Sequence, residues 1–145
     1  MKSKKKGNDQ LAFRSDYAEL QRIREYIVKN ALSFGFDDSE ANRISLAVDE
    51  ACSNLIKYAY KLDNNRIIKL EVETNKKVFI IKIKDDGNPF NPLEVPPQDM
   101  KEYIEQLRKG GLGIHIIRSV MDDISYYPSG KNQPENVLKL QKSLN

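Results

Sequence analysis

Four of the seven glycines in this 145-residue chain fall in two short strings, which limit where helices and strands can form. The first string is Asp85-Asp86-Gly87-Asn88-Pro89-Phe90, and the second is Gly110-Gly111-Leu112-Gly113. The second runs directly into an apolar pattern of helical spacing that begins at Ile114. Glycine-rich turns at a strand end and at a helix start allow close approach to the main chain, so the two strings predict a nucleotide site.

The net charge of +3 does not point to a nucleic-acid partner. Four lysines lie in the first six positions (Lys2, Lys4, Lys5 and Lys6), and without them the basic and acidic residues nearly balance. No aromatic residues alternate with these lysines, as a platform for stacking single-stranded bases would need. We therefore expect residues 1–12 to form a basic, flexible tail, and we expect no direct contact with nucleic acid.

The remaining residues, 13–145, are enough for one ordinary hydrophobic core, so we expect a single domain. The lone cysteine, Cys52, excludes an internal disulfide framework and fits a reducing compartment. No apolar run is long enough to cross a bilayer, and no signal-like apolar stretch follows the basic N-terminus. These features favour a cytoplasmic protein with no membrane association.

Two amphipathic helices are predicted in the first 60 residues. The first extends to about Phe34 and is ended by Gly35. Polar capping residues precede both helices: Ser15 or Asp16 for the first, and Asp37, Asp38 or Ser39 for the second. The second helix has an apolar face formed by Ile44, Ala47, Val48, Ala51, Cys52, Leu55, Ile56 and Ala59. Glu50 and Asn54 lie at the edge of that face, about one helical turn apart.

β-Branched residues alternating with polar ones predict strands in the second half of the chain. Two of them (67–73 and 78–84) are joined by Asn75-Lys76-Lys77 into an antiparallel hairpin. A helix follows from Gly113, and two further strands (124–127 and 137–140) form a second hairpin. Helices collected on one face of a sheet built from hairpins predict an α+β fold. We expect a two-layer α/β sandwich with a mixed, mostly antiparallel sheet.

The segment 91–109, between the two glycine strings, is predicted to be a lid. Pro92, Pro96 and Pro97 prevent regular structure at its start, and residues 100–107 are predicted to form a short helix. Because the segment is flanked by both strings, its closure would cover a ligand bound between them.

Each glycine string also carries chemistry. Asp85 follows a strand, where its carboxylate can accept a hydrogen bond from the amine of adenine while Gly87 permits close approach; alone, the string is equally typical of a polar turn. The second string precedes a helix whose amides can hold phosphate, beside the positive charges of Arg108 and Lys109. Alone, it is also typical of a closely packed helix entry, and it matches neither the Walker nor the dinucleotide-binding pattern.

Glu50 and Asn54 offer a proton acceptor and a metal ligand on one helix face. A carboxylate can orient or deprotonate an attacking hydroxyl, and an amide oxygen suits Mg²⁺, which usually keeps several waters. Two alternatives stay open. Both residues are explained as ordinary polar residues at a helix boundary, or Asp49 and Ser53, which have the same spacing, carry the chemistry.

In combination and in this order, the three motifs resemble the N, G1 and G2 boxes of the Bergerat-fold (GHKL) ATPases. The matching residues are Glu50-x-x-x-Asn54, Asp85-x-Gly87 and Gly110-Gly111-Leu112-Gly113. Within that superfamily, the phrase Ala47-Val48-Asp49-Glu50-Ala51 and the strings around Gly87 and His115 look like the bacterial anti-sigma-factor serine kinases. The resemblance covers residues 13–144.

The resemblance implies a role for each matching residue. Glu50 matches the catalytic carboxylate, Asn54 the magnesium ligand, and Asp85 with Gly87 the adenine-binding pair. The phosphate loop is matched by Lys109, Gly110, Gly111, Leu112 and Gly113. The cofactors implied are ATP and Mg²⁺. The implied activity is phosphorylation of a serine on an anti-anti-sigma partner of the STAS type. The resemblance also implies a sigma factor held inactive by the kinase, and a homodimer.

Two positions depart from the family's pattern. Tyr58 stands where many members have a histidine, and Pro89 replaces the glycine of the longer Asp-x-Gly-x-Gly form. We expect Tyr58 to be a buried core residue that leaves nucleotide binding possible. We expect His115 to have a packing or capping role and Cys52 to be a buried apolar residue, not a reactive thiol.

Two other functions share parts of this pattern. A nucleotide-binding switch that sequesters a partner without phosphotransfer would need Asp85 and the glycines but not Glu50. The catalytic domain of a histidine kinase shares the fold, but the sequence shows no helix pair bearing a phosphoacceptor histidine. Glu50 therefore favours the serine kinase.

Overall fold

The structure, a computed structural model, describes residues 7–89 and 113–144. Its regular elements are β1 (Gly7–Arg14), α1 (Leu20–Phe34), α2 (Asp38–Asn54), β2 (Ile67–Asn75), β3 (Val78–Asp85), α3 (Gly113–Val120), β4 (Asp123–Tyr127) and β5 (Asn136–Ser143). Two irregular turns adjoin the longer helices. A 3₁₀ turn (Tyr17–Glu19) precedes α1, and a π-helical turn (Leu55–Ala59) extends α2.

The described strands form one sheet in the order β1-β2-β3-β5-β4, and each pairing among them is antiparallel. One face of the sheet is apolar and packs against the helices, whereas the other carries cross-strand charge pairs. On that outer face, Lys84 Nζ lies 2.6 Å from Glu71 Oε2 of the neighbouring strand. This alternation is typical of an antiparallel sheet with one solvated face. It confirms the predicted α+β sandwich and both hairpins.

Local capping explains where the two long helices begin and end. The Asp16 carboxylate accepts a hydrogen bond from the Ala18 amide (2.9 Å), and Asp37 accepts one from the Glu40 amide (2.8 Å). Gly35 follows α1 with a φ of 129°, which a residue with a side chain rarely adopts. Both predicted helices are thus confirmed: Asp37 caps α2, and Asp16 caps the 3₁₀ turn that leads into α1.

One core lies between the helices and the apolar face of the sheet. Its largest fully buried side chains are Ile23, Ile27, Ile44, Leu55, Ile56, Ile68, Leu70, Phe79, Ile81, Ile83, Ile117 and Leu138. Burying each such side chain contributes about 1.5–3 kcal/mol. Phe34, at the end of α1, also contacts the ring of Phe79 on β3 at a centroid distance of 5.4 Å. The helices are therefore held firmly to the sheet, and α2 is a rigid support for Glu50.

The structure corrects the boundary of the predicted N-terminal tail. Residues 7–12 belong to β1, which pairs with β2 so that Leu11 lies opposite Leu70 and Phe13 opposite Ile68. The start of this strand is polar and lacks apolar alternation, because β1 is an edge strand and buries little besides Phe13. Its order comes from hydrogen bonds to a distant strand, which local pattern does not reveal. The four lysines of the tail lie outside the described residues.

Other predictions are tested only in part. The predicted lid (91–109), with its short helix at 100–107, lies outside the described residues and stays a prediction. Of the helices that the structure describes, none combines the length and the apolar composition that a membrane-spanning segment requires.

Candidate functional site

The structure brings the Asp85 string against the end of the helix that carries Glu50 and Asn54. Asp85 is the last residue of β3, and Gly87 packs against Ala59 in the π-helical extension of α2. Helix α3, which begins at Gly113 as predicted, also packs against α2. The Asp85 string and the helix that begins at Gly113 therefore both contact α2 or its extension.

Asp85 is a buried carboxylate, and the described residues donate hydrogen bonds to only one of its oxygens. Asp85 is only 2% exposed. Oδ2 accepts hydrogen bonds from the Gly87 amide (3.0 Å) and from Asn136 Nδ2 (3.1 Å). Among the described residues, no donor reaches Oδ1. Since a buried carboxylate oxygen needs a partner, Oδ1 is suited to accept a hydrogen bond from a ligand.

The surroundings of Asp85 have opposing effects on the pKa of its carboxyl group. Burial raises the pKa of this carboxyl, while the hydrogen bonds from Asn136 and from the Gly87 amide oppose the rise. Both donors favour the ionised form, in which each oxygen is purely an acceptor. The local geometry thus supports the acceptor role that the sequence predicts for Asp85.

Asn136 is a site residue that the sequence analysis missed. It is the first residue of β5, it lies opposite Asp85 in the sheet register, and it is fully buried. Besides Asp85, its Nδ2 donates to the Gly87 carbonyl (3.0 Å), and its Oδ1 accepts from the Ser129 amide (2.7 Å). The contact joins residues 51 positions apart, in a polar stretch that reads as a turn, so no local signal identifies it.

The structure gives a packing reason for glycine at position 87, and the predicted close approach of a ligand to this glycine stays a prediction. A Cβ at this position would lie 2.9 Å from Tyr60 Cε1 and 3.0 Å from the Ala59 carbonyl oxygen. Real Cβ atoms almost never make contacts as short as 2.9 Å. Within the described chain, the close neighbour is therefore the protein's own tyrosine ring, and a side chain at position 87 would displace the string.

Tyr60 anchors the string through its hydroxyl group. The hydroxyl accepts a hydrogen bond from the Asp86 amide (3.0 Å), and its own hydrogen has two acceptors in reach, the Ile67 carbonyl (2.7 Å) and Asp86 Oδ1 (3.0 Å). Arg66 completes the cluster: its Nη2 lies 2.8 Å from Asp86 Oδ1, and its guanidinium lies 4.7 Å from the Tyr60 ring centroid. These residues were not predicted, because each is unremarkable in its local pattern.

Tyr60→Phe is expected to lower the free energy of unfolding by about 1–3 kcal/mol, because it leaves the Asp86 amide without its acceptor. Urea denaturation monitored by circular dichroism measures this change. Tyr127→Phe is the matched control, since Tyr127 is 46% exposed on β4 and its loss of a hydroxyl should have little effect. Equal stability of the two variants would contradict the anchoring role of Tyr60.

Glu50 is a half-buried carboxylate on α2. Burial raises the pKa of its side chain, and the negative charge of Asp49 raises it further. It makes no hydrogen bond or ion pair with the other described residues. Burial raises the pKa of the Tyr17 phenol, and the nearby negative charge of Glu50 raises it further. A carboxylate with a raised pKa and no hydrogen bond or ion pair to the described residues is typical of a proton acceptor in a functional site.

Asp49, the alternative carboxylate, is engaged by α1. Its Oδ2 lies 3.1 Å from Arg24 Nη1 in a salt bridge that joins the two long helices. Its Oδ1 is buried and has no hydrogen-bond partner among the described residues. Because one oxygen is tied to Arg24, Asp49 serves helix packing, and the geometry favours Glu50 as the functional carboxylate.

Asn54 is the last residue of α2, where the helix widens. The π-helical turn that follows is closed by a hydrogen bond from the Tyr60 amide to the Leu55 carbonyl (3.0 Å). Such turns frequently occur at functional sites. Tyr58 is half-buried, and the prediction of a core residue is wrong: it stands one turn beyond Asn54, at the edge of the apolar face. The buried tyrosine is Tyr60, which is 4% exposed.

Some of the remaining site predictions concern residues that the structure describes, and others do not. Lys109, Gly110, Gly111 and Leu112 lie outside the described residues, as does the side chain of His115. Cys52 is fully buried, and burial raises the pKa of its thiol, which confirms the prediction of an unreactive apolar residue. No cluster of three or more His, Cys, Asp or Glu arranged for a metal ion occurs within 7–89 and 113–144.

Comparison with known proteins agrees with this arrangement. A family model described as the histidine kinase-like ATPase domain matches residues 13–142. The chain is also similar to the Serine-protein kinase RsbW of Staphylococcus aureus strains MSSA476, MW2 and JH9. Each is 36% identical over 118 residues, which cover 78% of this chain and 73% of the relative. The antiparallel sheet and the helices are those expected of a GHKL ATPase, and the chain belongs to the histidine kinase-like ATPase domain family.

Proposed function

We propose that the protein is an ATP-dependent serine-protein kinase that acts as an anti-sigma factor. The observation that carries the proposal is Glu50, a half-buried carboxylate whose pKa is raised by burial and which no described residue engages. It lies on the helix whose end packs against the Asp85 string. The similarity to Serine-protein kinase RsbW supports the same activity.

The residues fit the binding of ATP with Mg²⁺. Asp85 Oδ1, to which no described residue donates, is the acceptor for the adenine amine, and Asn54 contributes an amide oxygen suited to magnesium. Lys109, Gly110, Gly111, Leu112 and Gly113 hold the phosphates at the start of α3. When bound, ATP supplies the phosphoryl group to be transferred, and Mg²⁺ neutralises part of its charge.

Glu50 is the general base of the proposed reaction. It accepts the proton of the serine hydroxyl as that oxygen bonds to the terminal phosphorus of ATP and the bond from this phosphorus to ADP breaks, so that ADP leaves. Only the ionised form of Glu50 can accept the proton. Since burial and Asp49 raise the pKa of Glu50, the carboxylate is a stronger base than an exposed glutamate. The predicted lid, residues 91–109, closes over this arrangement and excludes water from the reacting groups.

The proposed partners follow from the serine kinase assignment. The phosphoacceptor is a serine on an anti-anti-sigma protein with a STAS domain, and the second partner is a sigma factor that the kinase holds inactive. We propose that the kinase is a cytoplasmic homodimer. The similarity to a serine-protein kinase supports the phosphoacceptor, and the remaining partner assignments rest on the resemblance to anti-sigma-factor kinases.

Phosphoserine should form on a STAS-domain protein when the purified chain is mixed with Mg-ATP and the STAS-domain proteins of the same genome. Phosphopeptide mass spectrometry identifies the modified residue.

Asn54→Ala should lower both magnesium-dependent ATP binding and phosphotransfer, because it removes the proposed metal ligand. Tight ATP binding without any phosphoserine would favour the non-phosphorylating switch instead, and phosphohistidine on a partner would favour a histidine kinase.

A further inference from the structure

We infer that Asn136 is a positioning residue that sets the nucleobase preference of the site, because it orients Asp85 so that only one acceptor faces the base. The inference rests on the proposed binding of ATP at Asp85. It concerns a residue of β5 that lies outside all three sequence motifs.

The orientation of the Asn136 amide is fixed by its partners. The Ser129 backbone amide can only donate, so the atom that it contacts at 2.7 Å must be the oxygen Oδ1. The two hydrogens of Nδ2 are then directed to Asp85 Oδ2 (3.1 Å) and to the Gly87 carbonyl (3.0 Å). Every polar atom of this fully buried side chain has a protein partner, so Asn136 has no hydrogen left to donate to a ligand.

The consequence for Asp85 is an asymmetric carboxylate. Oδ2 accepts from both Asn136 and the Gly87 amide, and no described residue donates to Oδ1. The pair therefore presents an acceptor and no donor. Adenine offers an amine, which can donate to this acceptor. Guanine has a carbonyl at the equivalent position, so its oxygen and Asp85 Oδ1 would be two acceptors facing each other. A buried mismatch of this kind discriminates strongly, because both oxygens lose their hydrogen bonds.

Asn136 also keeps Asp85 in the form that accepts. Burial, and to a smaller extent the charges of Asp86 and Glu135, raise the pKa of Asp85, and the donors on Asn136 and Gly87 counteract this. Tyr60 is another titratable group beside Asp85. Burial raises the pKa of its phenol, and the charge of Asp85 contributes to that rise. Without Asn136, Asp85 would bind a proton more readily. A protonated Asp85 would donate towards the base and so would no longer select an amine.

Asn136→Leu tests the inference, because leucine has a similar volume but no donor. In the nucleotide-free protein, ¹³C NMR of the Asp85 carboxyl should show its titration midpoint shifted upward relative to the wild type. At neutral pH, calorimetry should show ATP binding weakened about 10- to 100-fold, the usual effect of losing a hydrogen bond to a charged group. GTP should be affected less, and the ATP affinity should recover as the pH is raised, since deprotonation restores the acceptor.

Two further variants separate positioning from stability. Leu138→Ala removes a buried side chain two residues along the same strand and face, so it destabilises β5 without altering Asp85; its ATP:GTP preference and its Asp85 titration should match the wild type. Asn136→Thr keeps one donor in a smaller side chain and should give an intermediate upward shift, which maintains the test if Asn136→Leu fails to fold.

An unchanged Asp85 titration in either Asn136 variant, or an unchanged ATP:GTP preference, would overturn the inference. Failure of the wild type to bind ATP would overturn the proposed function. The two failures are distinguishable, because the NMR titration is measured without nucleotide.

Discussion

Replacing Glu50 with glutamine is expected to slow serine phosphorylation by about 10²–10⁴-fold, the usual contribution of a general base. Glutamine has nearly the same shape and cannot accept the hydroxyl proton, so ATP affinity should be nearly unchanged. Initial rates of phosphoserine formation at saturating Mg-ATP, together with calorimetric titration of ATP, separate chemistry from binding. The matched control is Asp49→Asn. It loses a salt bridge to Arg24 and the smaller of the two effects that raise the pKa of Glu50, so its phosphorylation rate should fall far less than that of Glu50→Gln.

The same Glu50→Gln variant should be more stable than the wild type at neutral pH. The pKa of Glu50 is raised in the folded protein above its ordinary value of 4.5, so the folded state binds this proton more tightly than the unfolded state. Binding of this proton therefore stabilises the folded state when the pH is below about 4.5, and this contribution is lost as the pH rises through the raised pKa. At neutral pH the wild type carries an ionised, half-buried carboxylate that the variant lacks. The difference in urea stability should vanish in acid.

A wild-type phosphorylation rate in Glu50→Gln would exclude Glu50 as the base and make Asp49 the next candidate. A gain in stability together with a loss of rate would identify a residue kept for function at a cost in folding, as is common in active sites.

Asp85→Asn is expected to weaken ATP binding by about 1–3 kcal/mol, or roughly 5- to 150-fold. The structure explains why the new amide cannot adapt. The position of Oδ2 faces two N–H donors, from Gly87 and Asn136, so the amide must place its oxygen there. Its NH₂ group then occupies the position of Oδ1 and points a donor at the adenine amine. The variant should bind GTP better relative to ATP than the wild type does.

Calorimetry with both nucleotides measures this change, and Asp86→Asn is the control. Asp86 is the neighbouring carboxylate, but its Oδ1 faces Arg66 and Tyr60. Its substitution should alter stability more than base preference. Unchanged ATP affinity in Asp85→Asn would rule out recognition of the adenine amine by this residue.

Much of the fold was predictable because its signals are local. Asp16 caps the 3₁₀ turn that leads into α1, and Gly35 ends α1; each acts within one turn of the residues that it caps. The hairpin of β2 and β3 follows from alternation on either side of a short turn. The order of the three motifs likewise depends only on spacing along the chain, and it identified the family without any tertiary contact.

The sequence by itself therefore determined the helices, the hairpins and the identity of Glu50, Asn54, Asp85 and Gly87 as candidates. Only the tertiary structure decided what surrounds them. Strand β1 exists because β2 supplies its hydrogen bonds, and Asn136 meets Asp85 because the register of β3 and β5 places them opposite each other. Tyr60 reaches Asp86 across 26 residues through the packing of α2 against the sheet. Local pattern encodes periodicity and caps, whereas the partners of a buried polar atom depend on which distant strand the fold places beside it.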